Sequence, residues 1–343
     1  MRRSTLPVLL TIVLSLVLAG CGGAVVDGGP VASDDEPDSA TEPEAPAEEP
    51  IEDPGATDPD PEPADDPAED PAEDPAEDPA EPEPAPAPAP EPEETSVSRV
   101  RLYFIAQGGG NAGRAEPFLI SVQREIPSTP RIAHATLREL IEGPSRADRA
   151  LIDGVSTAVP AETLLLGVTI DDRVATVDLS REFESGGGSF TMFARLAQVT
   201  YTVTQFPTVD AVRFELDGRP VTVFSGEGIV LDGPVSRGDY LDLLPGVFVD
   251  APAAGATVRS PLRITGRAAV FEATFQYRLQ AADGTVLAED FAMTDDGAGW
   301  GRFDVSIPYD VGTRQAGTLT VWEYSAKDGS VQSQRVTPLT LLP

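Results

Sequence analysis

Val97-Ser98-Arg99-Val100-Arg101-Leu102-Tyr103-Phe104-Ile105 is the stretch at which this 343-residue chain changes character. It alternates and then runs apolar, the pattern of a β-strand entering a core. Gly108-Gly109-Gly110-Asn111 follows as a turn or loop, and Phe118-Leu119-Ile120-Ser121-Val122-Gln123-Arg124 reads as a second strand. Thr129 before Pro130 predicts a helix start, with a capping hydroxyl and proline at the first helical position. In that helix Ile132, Ala133, Leu137, Leu140 and Ile141 share one side. Arg131, His134, Arg138, Glu139 and Glu142 share the other, and Gly143-Pro144 stops it. Residues 164–170 and 173–179, joined by Asp171-Asp172, read as a β-hairpin.

Gly186-Gly187-Gly188-Ser189 leads into a second helix over about 190–205. Its polar residues, Arg195, Gln198, Thr202 and Gln205, form one stripe, while Met192, Phe193, Leu196, Ala197, Val199 and Val203 cover most of the rest. So wide an apolar arc has to be covered on more than one side. Packing against both the sheet and the first helix satisfies that, and so does an oligomer surface. On the second reading Arg195, Gln198 and Thr202 are candidate interaction residues. Strands over 209–216 and 221–224 around Asp217-Gly218 complete an α+β sandwich with helices on one sheet face.

Upstream of Val97 the composition is that of a spacer. Of the 57 acidic residues 27 fall between Gly22 and Ser98, where there is no Lys or Arg. Between Cys21 and Tyr103 there are 19 prolines and no Phe, Trp or Tyr, and Pro-Ala-Glu-Asp repeats from Pro67. Such a chain cannot bury enough apolar area to offset its ordering entropy. Proline and self-repelling charge extend it, and at ~3.1 Å per residue it reaches at most about 200 Å. Asp58-Pro59-Asp60-Pro61-Glu62 superficially resembles a calcium loop but lacks the turn glycine and the terminal Glu at the required spacing. Still further upstream, Arg2 and Arg3 precede an apolar run from Leu6 that ends at Leu18-Ala19-Gly20-Cys21, the pattern of an export signal. Those four residues resemble the lipobox of bacterial lipoproteins, in which the cysteine becomes the first residue and receives lipid. Cys21 is the single cysteine of the chain, so an intrachain disulfide is ruled out. A cleaved secretory peptide with a chance cysteine, or an uncleaved anchor, are the bland readings, but the apolar run is short for a membrane span.

The net charge of −33 therefore describes the tether. Beyond Ser98, 30 acidic residues face 22 basic ones, an ordinary surface balance near −8. No basic patch stands out, which disfavours nucleic acid as a partner. About 245 residues remain for one large or two modest cores.

The ordered set of pieces resembles a known family. Arg101-Leu102-Tyr103-Phe104, Val122-Gln123-Arg124, the stretch from Leu137 to Glu142-Gly143-Pro144, Val174-Ala175-Thr176-Val177-Asp178-Leu179-Ser180 and Val212-Arg213-Phe214-Glu215-Leu216-Asp217-Gly218 follow the order seen in GerMN domains. These belong to spore-germination and sporulation lipoproteins and to some actinobacterial envelope lipoproteins. The resemblance covers about 97–245. It carries no catalytic residues and implies action through protein assembly in the envelope.

After Leu244-Pro245-Gly246 the pattern becomes short strands at 247–250, 262–266, 273–279, 285–288, 301–307, 318–324 and 331–341, with turns at Ala282-Asp283-Gly284 and Lys327-Asp328-Gly329. Seven strands in some 95 residues predict an antiparallel, immunoglobulin-like all-β sandwich. Pro252, Gly255, Ser260-Pro261-Leu262, Gly266, Phe271 and Trp322-Glu323-Tyr324-Ser325 resemble the immunoglobulin-like domain of bacterial spore germination. The expected organisation is a signal peptide at 1–20, a lipid-anchored disordered linker at 21–96, a GerMN-like domain at 97–245 and the sandwich at 246–343.

Chemistry is sparse. The single histidine, His134, sits among charges on a helix, and there is no Gly-x-Ser-x-Gly elbow. One His and a lipidated Cys make a zinc site unlikely on residue supply, and one lysine, Lys327, leaves no phosphate loop. Asp178 with Glu182, or Asp295 with Asp296, are conceivable carboxylate pairs for glycan chemistry, but both stand where plain turn residues stand. Trp300 and Trp322 read as core, or as sugar-stacking platforms. The expectation is a non-enzymatic, extracytoplasmic lipoprotein with no cofactor and no metal. It would be held to the membrane by lipid on Cys21 and assemble with envelope proteins or itself, or alternatively bind peptidoglycan through the sandwich. Cys21→Ala is expected to abolish incorporation of labelled palmitate and to release the chain from the membrane fraction.

Overall fold

The apolar run becomes strand β1 (Val97–Ala106), paired antiparallel with β2 (Phe118–Pro127) from Val97↔Pro127 to Ala106↔Phe118. The structure is a computed structural model describing residues 96–107 and 117–343, all within the unit Ala85–Pro343. The signal peptide, the motif at 18–21, the tether and the turn at 108–111 lie outside the described residues.

Helix α1 (Ile132–Glu142) starts two residues after Pro130, because the Thr129 hydroxyl accepts from the Arg131 amide and forms a turn before the helix. Gly143, at φ 79°, ends it as expected. A short helix the periodicity had not indicated, α2 (Arg146–Leu151), is set by the capping box of Ser145 and Asp148. The Arg124 guanidinium donates to Asp148 and, at 3.0 Å, to Glu139, which pins both helices to β2.

Strands β3 (Leu165–Asp171) and β4 (Val174–Leu179) form the expected hairpin. Its turn is Asp172-Arg173, both at positive φ (44° and 64°), one residue later than the sequence suggested. Helix α3 (Ser189–Val203) is the crossover that brings β5 (Ala211–Leu216) parallel to β4, as only a long connection permits. β6 (Arg219–Pro220) completes the sheet order β3-β4-β5-β6, and β7 (Val223–Phe224) pairs with β8 (Ile229–Val230). Around α3 the core gathers Leu102, Phe104, Leu137, Val177, Phe183, Leu196, Val199 and Phe214. The helix is covered by β1, α1, β5 and the 3₁₀ turn Arg237–Leu243, so every residue from Ala194 to Val203 is buried.

Its polar stripe has a different destination from the one proposed on sequence. β1 has β2 on one side, and on the other its backbone would lack partners. Gln205 accepts from the Arg101 amide and donates to the Arg101 carbonyl, both at 2.7 Å. Thr202 accepts from the Tyr103 amide at 3.3 Å, and Gln198 donates to the Tyr103 carbonyl at 2.9 Å. Ser156 then takes over at Ile105 with a reciprocal backbone pair at 2.9 and 2.7 Å. A helix face thus acts as the neighbouring strand.

The second part is the expected sandwich. One sheet holds β14-β11-β9, formed by β9 (Val247–Ala251), β11 (Leu262–Ala268) and β14 (Gly301–Ile307). The other has the order β10-β16-β15-β12-β13, from β10 (Thr257–Val258), β12 (Thr274–Ala281), β13 (Val286–Met293), β15 (Gln315–Tyr324) and β16 (Val331–Leu341). Ile264, Phe275, Leu279, Phe303, Leu319 and Leu341 fill the space between them, with the Phe275 and Phe303 rings 4.6 Å apart. A Cβ on Gly266 would lie 2.0 Å from the Phe248 carbonyl oxygen and 2.6 Å from the Phe303 ring. Gly266→Ala is therefore expected to cost ~1–3 kcal/mol, since backbone must move to admit it; urea unfolding checks this.

Candidate functional site

Where the two parts meet, the chain buries a group of charges. Tyr103 brings a hydroxyl into an otherwise apolar run, and a buried hydroxyl must find partners. It donates to Asp250 Oδ1 on β9 and accepts from Arg237 Nη2 at 3.0 Å and Arg101 Nε at 3.2 Å. Arg237 donates from all three nitrogens: Nη1 to Asp250 Oδ2 at 3.0 Å, Nη2 also to the Tyr201 carbonyl at 2.9 Å, and Nε to Thr204 Oγ1 at 2.8 Å. Its guanidinium carbon lies 4.7 Å from the Tyr201 ring centre and 5.2 Å from that of Tyr103, a stacked arrangement that arginine accepts and lysine would not. Tyr201 donates back to the Arg237 carbonyl at 3.1 Å.

Backbone pairing runs alongside. The Gln123 amide donates to the Ala254 carbonyl at 2.9 Å, and the Ala254 amide donates to Ser121 at 3.0 Å, so the segment after β9 extends the β1–β2 hairpin as a parallel bridge. Gly255, from the same segment, bonds Pro338 of β16 at 2.8 Å.

Electrostatically the cluster is closed. Burial alone would raise the Asp250 carboxyl, but Arg237 and Arg101 outweigh it and hold the group below its ordinary value. Burial would lower Arg237; Tyr103 and Asp250 reverse that and keep it cationic. Burial pushes the Tyr103 phenol up to about 12. One anion, two arginines and a neutral phenol persist across physiological pH, which makes the cluster a clamp and not a proton relay.

Two clefts lie where the parts meet, and the first borders the cluster. One of about 480 Å³ is walled by Tyr201, Arg237, Phe248 and Asp250 and reaches Arg267 and Arg302. A second of about 290 Å³ is mainly apolar, with Phe118, Leu119, Leu151, Val247, Val249 and Pro338 in its wall. Among the described residues no group of three or more His, Cys, Asp or Glu side chains is placed to hold a metal ion.

The candidate interaction residues of α3 lie inside the protein. Arg195 is 3% exposed, and Gln198 and Thr202 are at 0%. Arg195 donates to the carbonyls of Ala158, Phe183 and Gly186, each at 2.7 Å, so the stripe serves loops and β1 and is not open to a partner. Trp322 also fails to offer a free ring face. Trp322 is buried beneath Arg278, whose guanidinium carbon is 5.3 Å from its ring, and half-buried Trp300 packs against the core of the first part. Asp178 accepts from the Gly218 amide, Asp295 from Arg302 and Asp296 from Ala298, which is turn chemistry. Asp250 and Arg237 escaped sequence reading because no local pattern pairs them with Tyr103, 147 and 134 residues away. The lone tyrosine hydroxyl in Leu102-Tyr103-Phe104 was the available signal.

Arg237→Met leaves Asp250 with the Tyr103 hydroxyl and a single cation, Arg101, 3.8 Å away, and is expected to cost ~3–5 kcal/mol in urea unfolding. Asp250→Asn carries a pH signature. The folded-state value of Asp250 lies below its unfolded one, so its stabilisation is full above about pH 4 and is lost as pH falls through the folded value. The stability gap between wild type and Asp250→Asn should therefore close on acidification.

Comparison with known proteins agrees with this architecture. Residues 101–222 match the family model Germane, described as "Sporulation and spore germination", and residues 246–330 match Gmad2, the "Immunoglobulin-like domain of bacterial spore germination". None of the curated proteins matches the chain. Among solved structures, the first GerMN domain of the sporulation protein GerM from Bacillus subtilis is similar over 41% of this chain and 99% of its own, at 23% identity and a TM-score of 0.35. The tandem GerMN domains of the same protein are similar over 62% of each chain, at 18% identity and a TM-score of 0.35. The chain carries a sporulation and spore germination domain of the Germane family, followed by the immunoglobulin-like domain of bacterial spore germination.

Proposed function

We propose that the protein is a non-catalytic, extracytoplasmic accessory subunit that scaffolds a cell-envelope protein complex. The observation that carries this reading is the clamp of Tyr103, Arg237 and Asp250 together with the Gln123–Ala254 pairing. These interactions hold a Germane domain and an immunoglobulin-like domain in fixed relation, so a partner meets surfaces of both at a set spacing. The pairing of two sporulation and germination accessory domains supports the same reading. So does an acidic, proline-rich leader long enough to hold the folded part away from a membrane. Lipid on Cys21 would supply the anchor; among the described residues no helix is long and apolar enough to cross a membrane.

Crosslinking of tagged full-length protein in its own cells, followed by mass spectrometry, tests the proposal. A stoichiometric protein partner is expected, and Arg237→Met should reduce its recovery at growth temperatures where the variant is still folded. Recovery of wall fragments alone would overturn the scaffold in favour of peptidoglycan binding.

A further inference from the structure

The sandwich has one open flank with unusual chemistry. β13 ends the five-strand order β10-β16-β15-β12-β13 and pairs on one side only, with β12. Such edges are ordinarily blunted by charged side chains, bulges or proline; β13 (VLAEDFAM) has no lysine or proline, its two charges, Glu289 and Asp290, are both acidic, and its bulge lies at the far end, opposite Leu279 and Gln280. The Phe291 amide donates to the Asp290 side chain at 2.9 Å, and the Thr294 amide donates to the Ala273 carbonyl on the β12 side at 2.8 Å. Because strand residues alternate in direction, the backbone groups of Glu289, Phe291 and Met293 therefore face the open edge.

The side chains there are large and apolar. Phe291 is 57% exposed, Met293 60% and Phe271 62%. Phe271 is brought to this end by the turn before β12, where Thr274 stands opposite Met293 and the Thr294 amide donates to Ala273. That turn holds Glu272 and Ala273 successively at positive φ, 53° and 59°. For residues with a Cβ each such position costs roughly 1–3 kcal/mol, a strain retained where a surface has a use. The charges in this stretch have one sign. From Phe271 to Asp296 there are six acidic residues and one basic, Arg278, which is spent bidentately on Glu289 at 2.7 and 2.9 Å.

We infer that the β13 edge is a docking site for an extended segment of a partner protein, one that alternates large apolar with basic residues and adds to the sheet as a sixth strand. The backbone of Glu289 and Met293 and the Phe291 carbonyl would supply the ladder, the incoming strand displacing Asp290 from the Phe291 amide; Phe271, Phe291 and Met293 would give the apolar contact, and Glu272, Asp290 and Asp296 the charge selection. The acidic surround argues against an anionic bilayer, and against a second copy of the same acidic edge.

The inference rests on the reading of this chain as an interaction protein and is tested separately from it. A labelled synthetic peptide alternating valine and lysine is titrated against purified full-length protein. Saturable binding is expected, with amide exchange slowed at Glu289, Phe291 and Met293. A valine–glutamate peptide, or one N-methylated along its pairing edge, should bind roughly tenfold more weakly. Phe291→Lys should weaken the valine–lysine peptide by a similar factor, while Glu272→Lys combined with Asp290→Lys, both exposed, should reverse the preference between the two peptides. Equal binding by all variants, or unchanged exchange at the three amides, overturns the proposal. So does a concentration-dependent dimer abolished by Phe291→Lys, which assigns the edge to a second copy. Flotation with phosphatidylglycerol vesicles that depends on Phe271 assigns it to a membrane and overturns it too. Peptide binding without any partner recovered in cells would sink the scaffold and leave the edge; a recovered complex indifferent to Phe291→Lys would do the opposite.

Discussion

The structure depends on how the second edge of β1 is satisfied. A strand this apolar has to be buried, yet its outer row of amides and carbonyls cannot be buried without partners. Gln198, Thr202 and Gln205 recur every three or four residues along α3, so they project from one helix face and meet alternate residues of an extended strand at Arg101 and Tyr103. The helix is thereby fixed in rotation as well as position, and its remaining circumference has to be apolar because α1, β5 and the Arg237–Leu243 turn cover it. An apolar stripe there would pack as well, but it would leave the β1 backbone unpaired.

The same strand sets the junction with the sandwich. Tyr103 turns its backbone to α3 and its hydroxyl to Asp250 and Arg237. A buried ion pair is weak evidence for net stability, since desolvation consumes much of what attraction returns. Its value is directional: the arginine fork, two rings and a carboxylate accept one arrangement, whereas two apolar faces would tolerate sliding. Hydrophobic contact across the junction, such as the perpendicular Tyr201 and Phe248 rings at 6.0 Å, supplies the adhesion that the charges then orient. The Germane-matching part and the immunoglobulin-like part are joined in this way into one composite surface.

Strand positions were legible because alternation and turn residues are local signals. β14 and β16 begin and end where the pattern put them, and the Asp217-Gly218 and Lys327-Asp328-Gly329 turns sit where glycine takes positive φ. The wide apolar arc of α3 announced a helix covered on several sides. The helix α2 was missed because six residues are too few for a periodicity, although Ser145 and Asp148 carried its cap.

By itself the sequence determined the class of each folded part, the acidic, proline-rich composition ahead of them, the lipobox-like cysteine and the scarcity of histidine and lysine, all of which are matters of composition, local period or motif. Only the tertiary structure decided what the polar residues were for. On a helical wheel Gln198 and Thr202 are indistinguishable from a solvated stripe, and Trp322 is indistinguishable from a sugar platform. What separates these readings is the burial around each side chain and the partner it meets from a distant part of the chain. Asp250 and Arg237 carry no local mark at all. Their meeting with Tyr103 exists because two folded parts close over one another, and a hydrogen bond formed across some 140 residues of chain is a property of packing, not of period.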